Sequence, residues 1–148
     1  MTTWGELASD EPELAAYSAD RLNRAPAYLA TVRATGAPRV HPITPIVATD
    51  GLYVFMEPKS PKAADLRERG WYALHSGVPD MNGSGGELMI SGVGVAVIDP
   101  EVRADAAKAA SYEPADRYIL FELLVDEVRV TGYGSDPLPA RRRWSAPR

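Results

Sequence analysis

Glu87-Leu88-Met89-Ile90-Ser91-Gly92-Val93-Gly94-Val95-Ala96-Val97-Ile98 reads as one long strand. Side chains alternate across a strand, so Leu88, Ile90, Gly92, Gly94, Ala96 and Ile98 share one face and Met89, Val93, Val95 and Val97 share the other. Gly92 and Gly94 leave the first face bare. Either the sheet bends sharply there or another group approaches the backbone closely. The segment Ile119 to Tyr133 is its natural partner in length. Ile119, Phe121, Leu123 and Val125 run in one phase, and Val128 and Val130 follow in the other. A slip of phase at Asp126-Glu127 predicts a bulge.

Working back toward the N-terminus, Trp71–Ser76 is a strand, followed by a loop over residues 77–86 that holds four glycines and Pro79. Ser60-Pro61-Lys62 opens a helix of about two turns: Ser60 as N-cap, Pro61 at the first helical position, Gly70 at the stop. Asp50-Gly51 is a hairpin signal, with Leu52–Met56 as the returning strand. Pro38 to Ala48 is a strand interrupted by Pro42 and Pro45, hence an edge or a bend. A further strand covers Tyr28 to Ala34. Before it, Leu14, Tyr17, Leu22 and Ala25 form one stripe at helical spacing, with Asp10 as the expected N-cap and Pro26 as the stop. Asp99-Pro100 starts a helix that runs to about Ala110. Residues 1–12 and 135–148 read as extended tails of a single domain covering residues 1–148. The order predicts a β-rich α+β fold: a six-stranded antiparallel split β-barrel with short flanking helices.

Composition narrows the function. The 148 residues carry 16 Lys+Arg and 20 Asp+Glu, a net charge of −4, which argues against nucleic acid as a partner. No run of roughly 18 apolar residues is present, so no membrane span is expected. The first residues lack the basic and apolar regions of a secretory signal, and a cytoplasmic location is the expectation. Cysteine is absent and there are two histidines, which excludes thiol catalysis and Cys- or His-rich metal sites. A chain of this size buries only about two thirds of its unfolded surface, so dimerisation is a plausible way to complete a core or a site.

Two places could hold an anion. The Ser60-Pro61-Lys62 helix start offers backbone N–H groups, a hydroxyl and a full positive charge, the set a phosphate needs; a well-capped surface helix would look the same. In Arg39-Val40-His41-Pro42, extended geometry points Arg39 and His41 the same way. Arg39 could pair with a phosphate, or both could decorate an exposed edge. His75, at a strand end beside Ser76, fits a structural hydrogen-bonding role. Gly83-Ser84-Gly85-Gly86 lacks a Walker lysine and reads as a loop. Arg141-Arg142-Arg143-Trp144 is either a frayed basic terminus or a tail folded across a site. No nucleophile or metalloprotease motif is present, and no catalytic residue is assigned.

Taken in order, Leu29–Arg33, Gly36–Pro42, Gly51–Met56, Ser60–Leu66, Tyr72–Ser76, Gly86-Glu87, Ser91-Gly92 and Arg143-Trp144 resemble the small actinobacterial members of the pyridoxamine 5′-phosphate oxidase-like, FMN-binding split-barrel family. The resemblance implies a homodimer with FMN bound at the subunit interface. It implies a flavin-dependent oxidoreductase that moves hydride or electrons to or from a small organic substrate. A deazaflavin-dependent reductase of the same fold and a non-catalytic flavin-binding module are the alternatives. Carried over by position, Arg39, Ser60 and Lys62 would hold the phosphate. His41, Thr44, Phe55 and Met56 would follow the ribityl chain and ring, and Val40 would be among the cofactor-binding residues. His75 and Ser76 would lie near the phosphate or ribityl end, and Trp144 would come from the other subunit with Arg142 or Arg143.

Overall fold

The computed structural model describes residues 1–83, 85–133 and 141–148. Its elements run α1 (Trp4–Asp10), α2 (Pro12–Leu22), β1 (Ala27–Val32), β2 (Pro38–Ile43), β3 (Ile46–Val47), β4 (Leu52–Met56), α3 (Pro61–Glu68), β5 (Trp71–His75), β6 (Glu87–Ala96), α4 (Pro100–Ala109), β7 (Ile119–Thr131) and β8 (Arg141–Ser145). The strands form one antiparallel sheet in the order β2-β1-β5-β6-β7-β4-β3, with β8 added beside the C-terminal half of β7. The described strands number eight rather than the six expected. The proline-interrupted segment divides into β2 and β3, and the C-terminal segment supplies β8.

β2 and β3 are the two ends of the strand path, yet only Thr44 and Pro45 separate them in the chain. The sheet must therefore curl until its edges meet at that corner. Pro42 and Pro45 prevent a ladder from forming across it, because each lacks an N–H. The result is a split barrel. Its interior is packed by Leu29, Leu74, Leu88, Ile90, Leu123, Val125 and Val128. β4 is buried along its whole length: Leu52, Val54 and Met56 face this core, while Tyr53 and Phe55 face a second cluster with Ile46, Ala106 and Leu120.

The bulge lies where the phase slip placed it. Ser91 pairs with Glu127 and Gly92 with Val125, leaving Asp126 as the extra residue. The bare face of β6 has its cause here as well. A Cβ on Gly92 would lie 1.9 Å from the Leu124 carbonyl oxygen. Tyr72 Oη donates to that same oxygen at 3.0 Å.

Two expectations are corrected. Residues 1–12 are not an extended tail. Thr3 caps α1, accepting from the Glu6 N–H, while the Glu6 carboxylate accepts from the Thr3 backbone, and Trp4 and Leu7 enter the core. Asp10 consequently ends α1 and is not the N-cap of the next helix; α2 starts at Pro12 after Glu11. Within 135–148, residues 135–140 lie outside the described residues, but Arg141–Ser145 is a paired strand. Its alternation decides its place. Trp144 and Arg142 turn toward the α1–α2 junction, where the Trp144 indole N–H donates to Asp10 at 2.8 Å and Arg142 pairs with Glu11. Arg143 turns the other way and meets Glu127.

Candidate functional site

The α3 helix start is built as its sequence requires. Ser60 has extended backbone, its hydroxyl accepts from the Ala63 N–H, and Pro61 fills the first helical position. Its first turn thus ends in backbone donors without intrahelical partners, including that of Lys62. Gly70 closes the helix at φ 78°, a conformation that favours glycine.

α3 is fastened to the barrel through one buried carboxylate. Asp65 is 4% exposed and accepts from Thr31 Oγ1 at 2.8 Å, Arg39 Nε at 2.8 Å and Arg69 at 3.1 Å. Burial acts to raise its pKa, but the hydrogen bonds from Arg39, Thr31 and Arg69 outweigh it and hold the carboxyl below its ordinary value. Arg39 therefore spends Nε within the fold. Its terminal nitrogens make no hydrogen bond among the described residues.

His41 sits one row further along β2, on the same face as Arg39, with its Nε2 buried and without a partner among the described residues. Burial, then Lys62 and Arg39, lowers its pKa. At neutral pH the imidazole is uncharged and still has hydrogen-bonding capacity to offer. Lys62 makes no hydrogen bond or ion pair among the described residues. An open arginine fork, an unpaired lysine and an orphaned imidazole nitrogen in one electrostatic neighbourhood form a set that an added anion would satisfy.

Lys62 also lies at the rim of a cavity of about 410 Å³. Thr44, Phe55 and Met56 line it, so four of the expected site residues converge there. Tyr112 and Tyr118 supply another wall, and were not among the expected site residues. They come from the connection between α4 and β7, whose carbonyls at Ala115, Asp116 and Tyr118 accept from the Arg103 guanidinium. Arg103 also stacks 5.0 Å over the Phe55 ring. Glu57, the one carboxylate that lines it among the described residues, is paired with Arg117 at 2.9 Å. A second, more open depression of about 780 Å³ is lined by Glu6, Asp10, Asp50 and Glu122, and would repel a phosphate.

The remaining expected residues lie elsewhere. Val40 points to the opposite face of β2, into solvent. His75 and Ser76 lie at the end of β5, on the far side of β1, and do not line the cavity. His75 Nδ1 is 2.7 Å from the Ser76 carbonyl oxygen. Ser76 is buried, and its hydroxyl has no partner among the described residues. Trp144 packs in the core of its own chain, 9% exposed with its N–H committed to Asp10, so this placement does not offer its ring to another subunit.

Residues 14–132 match the model of the family described as pyridoxamine 5′-phosphate oxidase. The fold is similar to a NimC/NimA family protein from Clostridium acetobutylicum, with a TM-score of 0.70 and 15% identity over 91% of this chain and 93% of that one. It is similar to the heme binding protein from Mycobacterium smegmatis, with a TM-score of 0.67 and 17% identity over 88% of this chain. The chain spans only 57% of the length of that protein. It is also similar to PhzG from Burkholderia lata 383 in complex with tetrahydrophenazine-1-carboxylic acid, with a TM-score of 0.59 and 20% identity over 93% and 84% of the two chains. No curated protein matches it significantly in sequence. These structural likenesses speak for the fold, and their named ligands differ. The family match covers most of the chain and agrees with the split barrel, so the chain belongs to the pyridoxamine 5′-phosphate oxidase family.

Proposed function

We propose that the chain is a homodimeric flavin-dependent oxidoreductase that takes FMN and passes hydride or electrons to or from a small organic substrate. The observation that carries this reading is Lys62, on the first turn of α3, at the mouth of a cavity walled by Phe55, Met56, Tyr112 and Tyr118. A phosphorylated planar cofactor fits such a site. Its phosphate takes Lys62, the Ser60 hydroxyl and the helix N–H groups, with Arg39 and His41 beside them. Its ring takes the aromatic and thioether walls. When bound, the flavin supplies the redox chemistry itself. The protein's part is to hold the phosphate, orient the ring and keep water from it, and no side chain is assigned as acid or base.

The dimer is supported by the outer face of the sheet. Tyr28 on β1, Val40 on β2 and Trp71 on β5 are 52%, 60% and 56% exposed, and Ala30, Ala73 and Val93 lie among them on the same face. A largely apolar face of this kind, with His75 and Ser91 as its polar members, calls for a covering surface.

The absorption spectrum of the purified protein, before and after addition of FMN, tests the reading. Flavin bands that follow the protein through gel filtration support it. A protein that rejects FMN and retains only a deazaflavin favours the reductase alternative. FMN binding without turnover in the presence of NAD(P)H and a panel of acceptors favours the non-catalytic module.

A further inference from the structure

The depression of about 780 Å³ that would repel a phosphate lies where α1 meets the β3–β4 hairpin and β7. The Gly5 N–H donates to the Asp50 carbonyl at 3.1 Å, and a Cβ on Gly5 would stand 3.1 Å from the Asp50 Cα, so helix and hairpin touch through backbone. Their contact gathers carboxylates that the sequence keeps far apart: Glu6 and Asp10 from α1, Asp50 from the hairpin and Glu122 from β7. Glu6 accepts from the Thr2 and Thr3 hydroxyls and the Thr3 N–H, and Asp10 from the Trp144 indole. These donors are neutral, so both carboxylates keep their charge. None of the four makes an ion pair among the described residues. Glu122 is half-buried, and burial first, then Glu6, holds its pKa above the ordinary value.

Tyr53 gives this acidic surface a buried polar group without a partner. It is 7% exposed, lines the depression, and makes no hydrogen bond among the described residues. It pairs across the sheet with Glu122, so the two side chains share a face. Its ring lies over Gly51, where an added Cβ would meet the hydroxyl oxygen at 2.2 Å. Burial first, then Glu122, Asp50 and Asp105, holds its pKa above the ordinary value. The phenol therefore stays protonated in the field of three carboxylates, with its acceptor capacity unspent. Asp50 and Tyr53 also line a neighbouring hollow of about 580 Å³ with Asp105 and Lys108, so the two form one trough. Lys108 and the Met1 ammonium, which acts on Glu6 through space, are the cations near it. Five carboxylates thus face two ammonium groups.

We infer that this trough binds a linear aliphatic polyamine, with ammonium groups at Glu122 and Glu6 and at Asp50, and with methylenes across the Tyr53 ring. Three features select that class. The surplus of negative charge asks for more than one positive charge. Among the described residues no three carboxylates converge closely enough to hold a metal ion, so the charges of the ligand must be spread along its length. The Tyr53 hydroxyl oxygen can accept from an ammonium N–H, and its ring offers a cation-attracting face and a surface for methylenes. The inference does not rest on the flavin reading, whose cavity is lined by other residues.

The probes are spermidine, putrescine and Mg²⁺, titrated by calorimetry into the full chain at about 20 mM salt, where screening is weak. Spermidine is expected to bind saturably and more tightly than putrescine. Putrescine should in turn bind severalfold more tightly than Mg²⁺, which has the same charge at a single point. Glu122→Gln and Asp50→Asn should each weaken spermidine about fivefold, the upper end for an exposed ion pair. Asn-Gly is as good a hairpin turn as Asp-Gly, so the second variant keeps its fold. Tyr53→Phe keeps the ring and should weaken spermidine about fivefold through the lost hydroxyl. Glu113→Gln removes one exposed charge elsewhere and should change nothing. The inference is overturned if spermidine does not bind, if Mg²⁺ matches putrescine, or if the Glu122, Asp50 and Tyr53 variants bind as the parent does. It is equally overturned if Glu113→Gln costs as much as Glu122→Gln, which would reduce the effect to the net charge of the chain.

Discussion

Asp65 Oδ2 lies 2.8 Å from Arg39 Nε, and this contact joins the α3 helix to the edge strand β2. The same carboxylate also takes Thr31 and Arg69, so β1, β2 and α3 share one anion. Removing it leaves Arg39 partly buried without its counter-charge. Asp65→Ala is expected to destabilise the fold by about 3–5 kcal/mol, read as a lower urea midpoint at unchanged slope. The Asp65 pKa is lowered in the folded chain, so its contribution is present above its ordinary carboxylate value and is lost as pH falls through the folded one. Asp65→Asn should therefore flatten the acid limb of the stability profile below about pH 4. An acid limb identical to the parent's would show that the carboxylate is not charged there.

Lys62 contributes charge without holding the fold together, since it has no ion-pair partner among the described residues. Lys62→Ala should weaken FMN by about 1.5–3 kcal/mol, the range for a charge-assisted contact. Riboflavin, which lacks the phosphate, should bind parent and variant alike. Titration calorimetry with the two ligands checks this, and equal losses for both would place Lys62 against the ring.

His41 makes the phosphate reading sensitive to pH. In the free protein burial first, then Lys62 and Arg39, keep its pKa below the ordinary value. A phosphate bound beside it would oppose the two cations and raise that pKa, so binding takes up a proton. FMN affinity should then increase as pH falls from about 8 toward 6.5, the ordinary histidine value. His41→Gln should remove this slope, and riboflavin should not show it. An FMN affinity independent of pH across that window would separate His41 from the phosphate.

Gly92 is a glycine because a carbonyl occupies the space of its side chain. Its added Cβ would stand 1.9 Å from Leu124 O, and backbone at a bulge cannot move as a side-chain end can. Gly92→Ala should cost about 3 kcal/mol, at the upper end for overpacking, and free the Tyr72 hydroxyl from the same carbonyl. Gly36, whose Cβ would meet nothing within 4 Å, gives the comparison on a turn with φ 85°. Urea titration of the two variants orders them, and a Gly92→Ala protein as stable as the parent would contradict the close approach.

Much of the barrel could be read from periodicity because its strands obey simple rules. β6 alternates cleanly, β7 announces its bulge by a phase slip, and Ser60-Pro61 starts α3 as capping chemistry requires. What escaped reading depends on partners distant in sequence. Arg141-Arg142-Arg143 looks like a solvated run until Glu11 pairs with Arg142 and Glu127 with Arg143. Tyr112 and Tyr118 lie in a connection with no period of its own, and contacts distant in sequence, those of Arg103 among them, fix it as a cavity wall. The α1 helix is different. Thr3-Trp4-Gly5-Glu6 has the capping-box spacing, and that signal was available. In the site, the Ser60-Pro61-Lys62 helix start could be read from residue type, while Thr44, Phe55 and Met56 were named beside it by the family resemblance. Neither could reveal that Arg39 is half committed to Asp65, because that bond joins two elements.

The outer face of the sheet gives the last prediction. Val40 stands 60% exposed on the end strand β2, on the same sheet face as the exposed Tyr28 of β1 and Trp71 of β5, and the other face of β2 carries Arg39 and His41. If a second copy covers this face, a charge at Val40 must be desolvated on association and left unpaired, which is costly in an apolar contact. Val40→Lys should shift the protein to monomer in sedimentation at micromolar concentration, with an unchanged circular dichroism spectrum because the position is exposed in the single chain. FMN affinity should fall with it, although the substitution touches neither Lys62 nor the aromatic walls, since the family resemblance implies a cofactor site at the subunit interface. A monomeric Val40→Lys protein that still binds FMN as the parent does would locate the whole cofactor site within one chain.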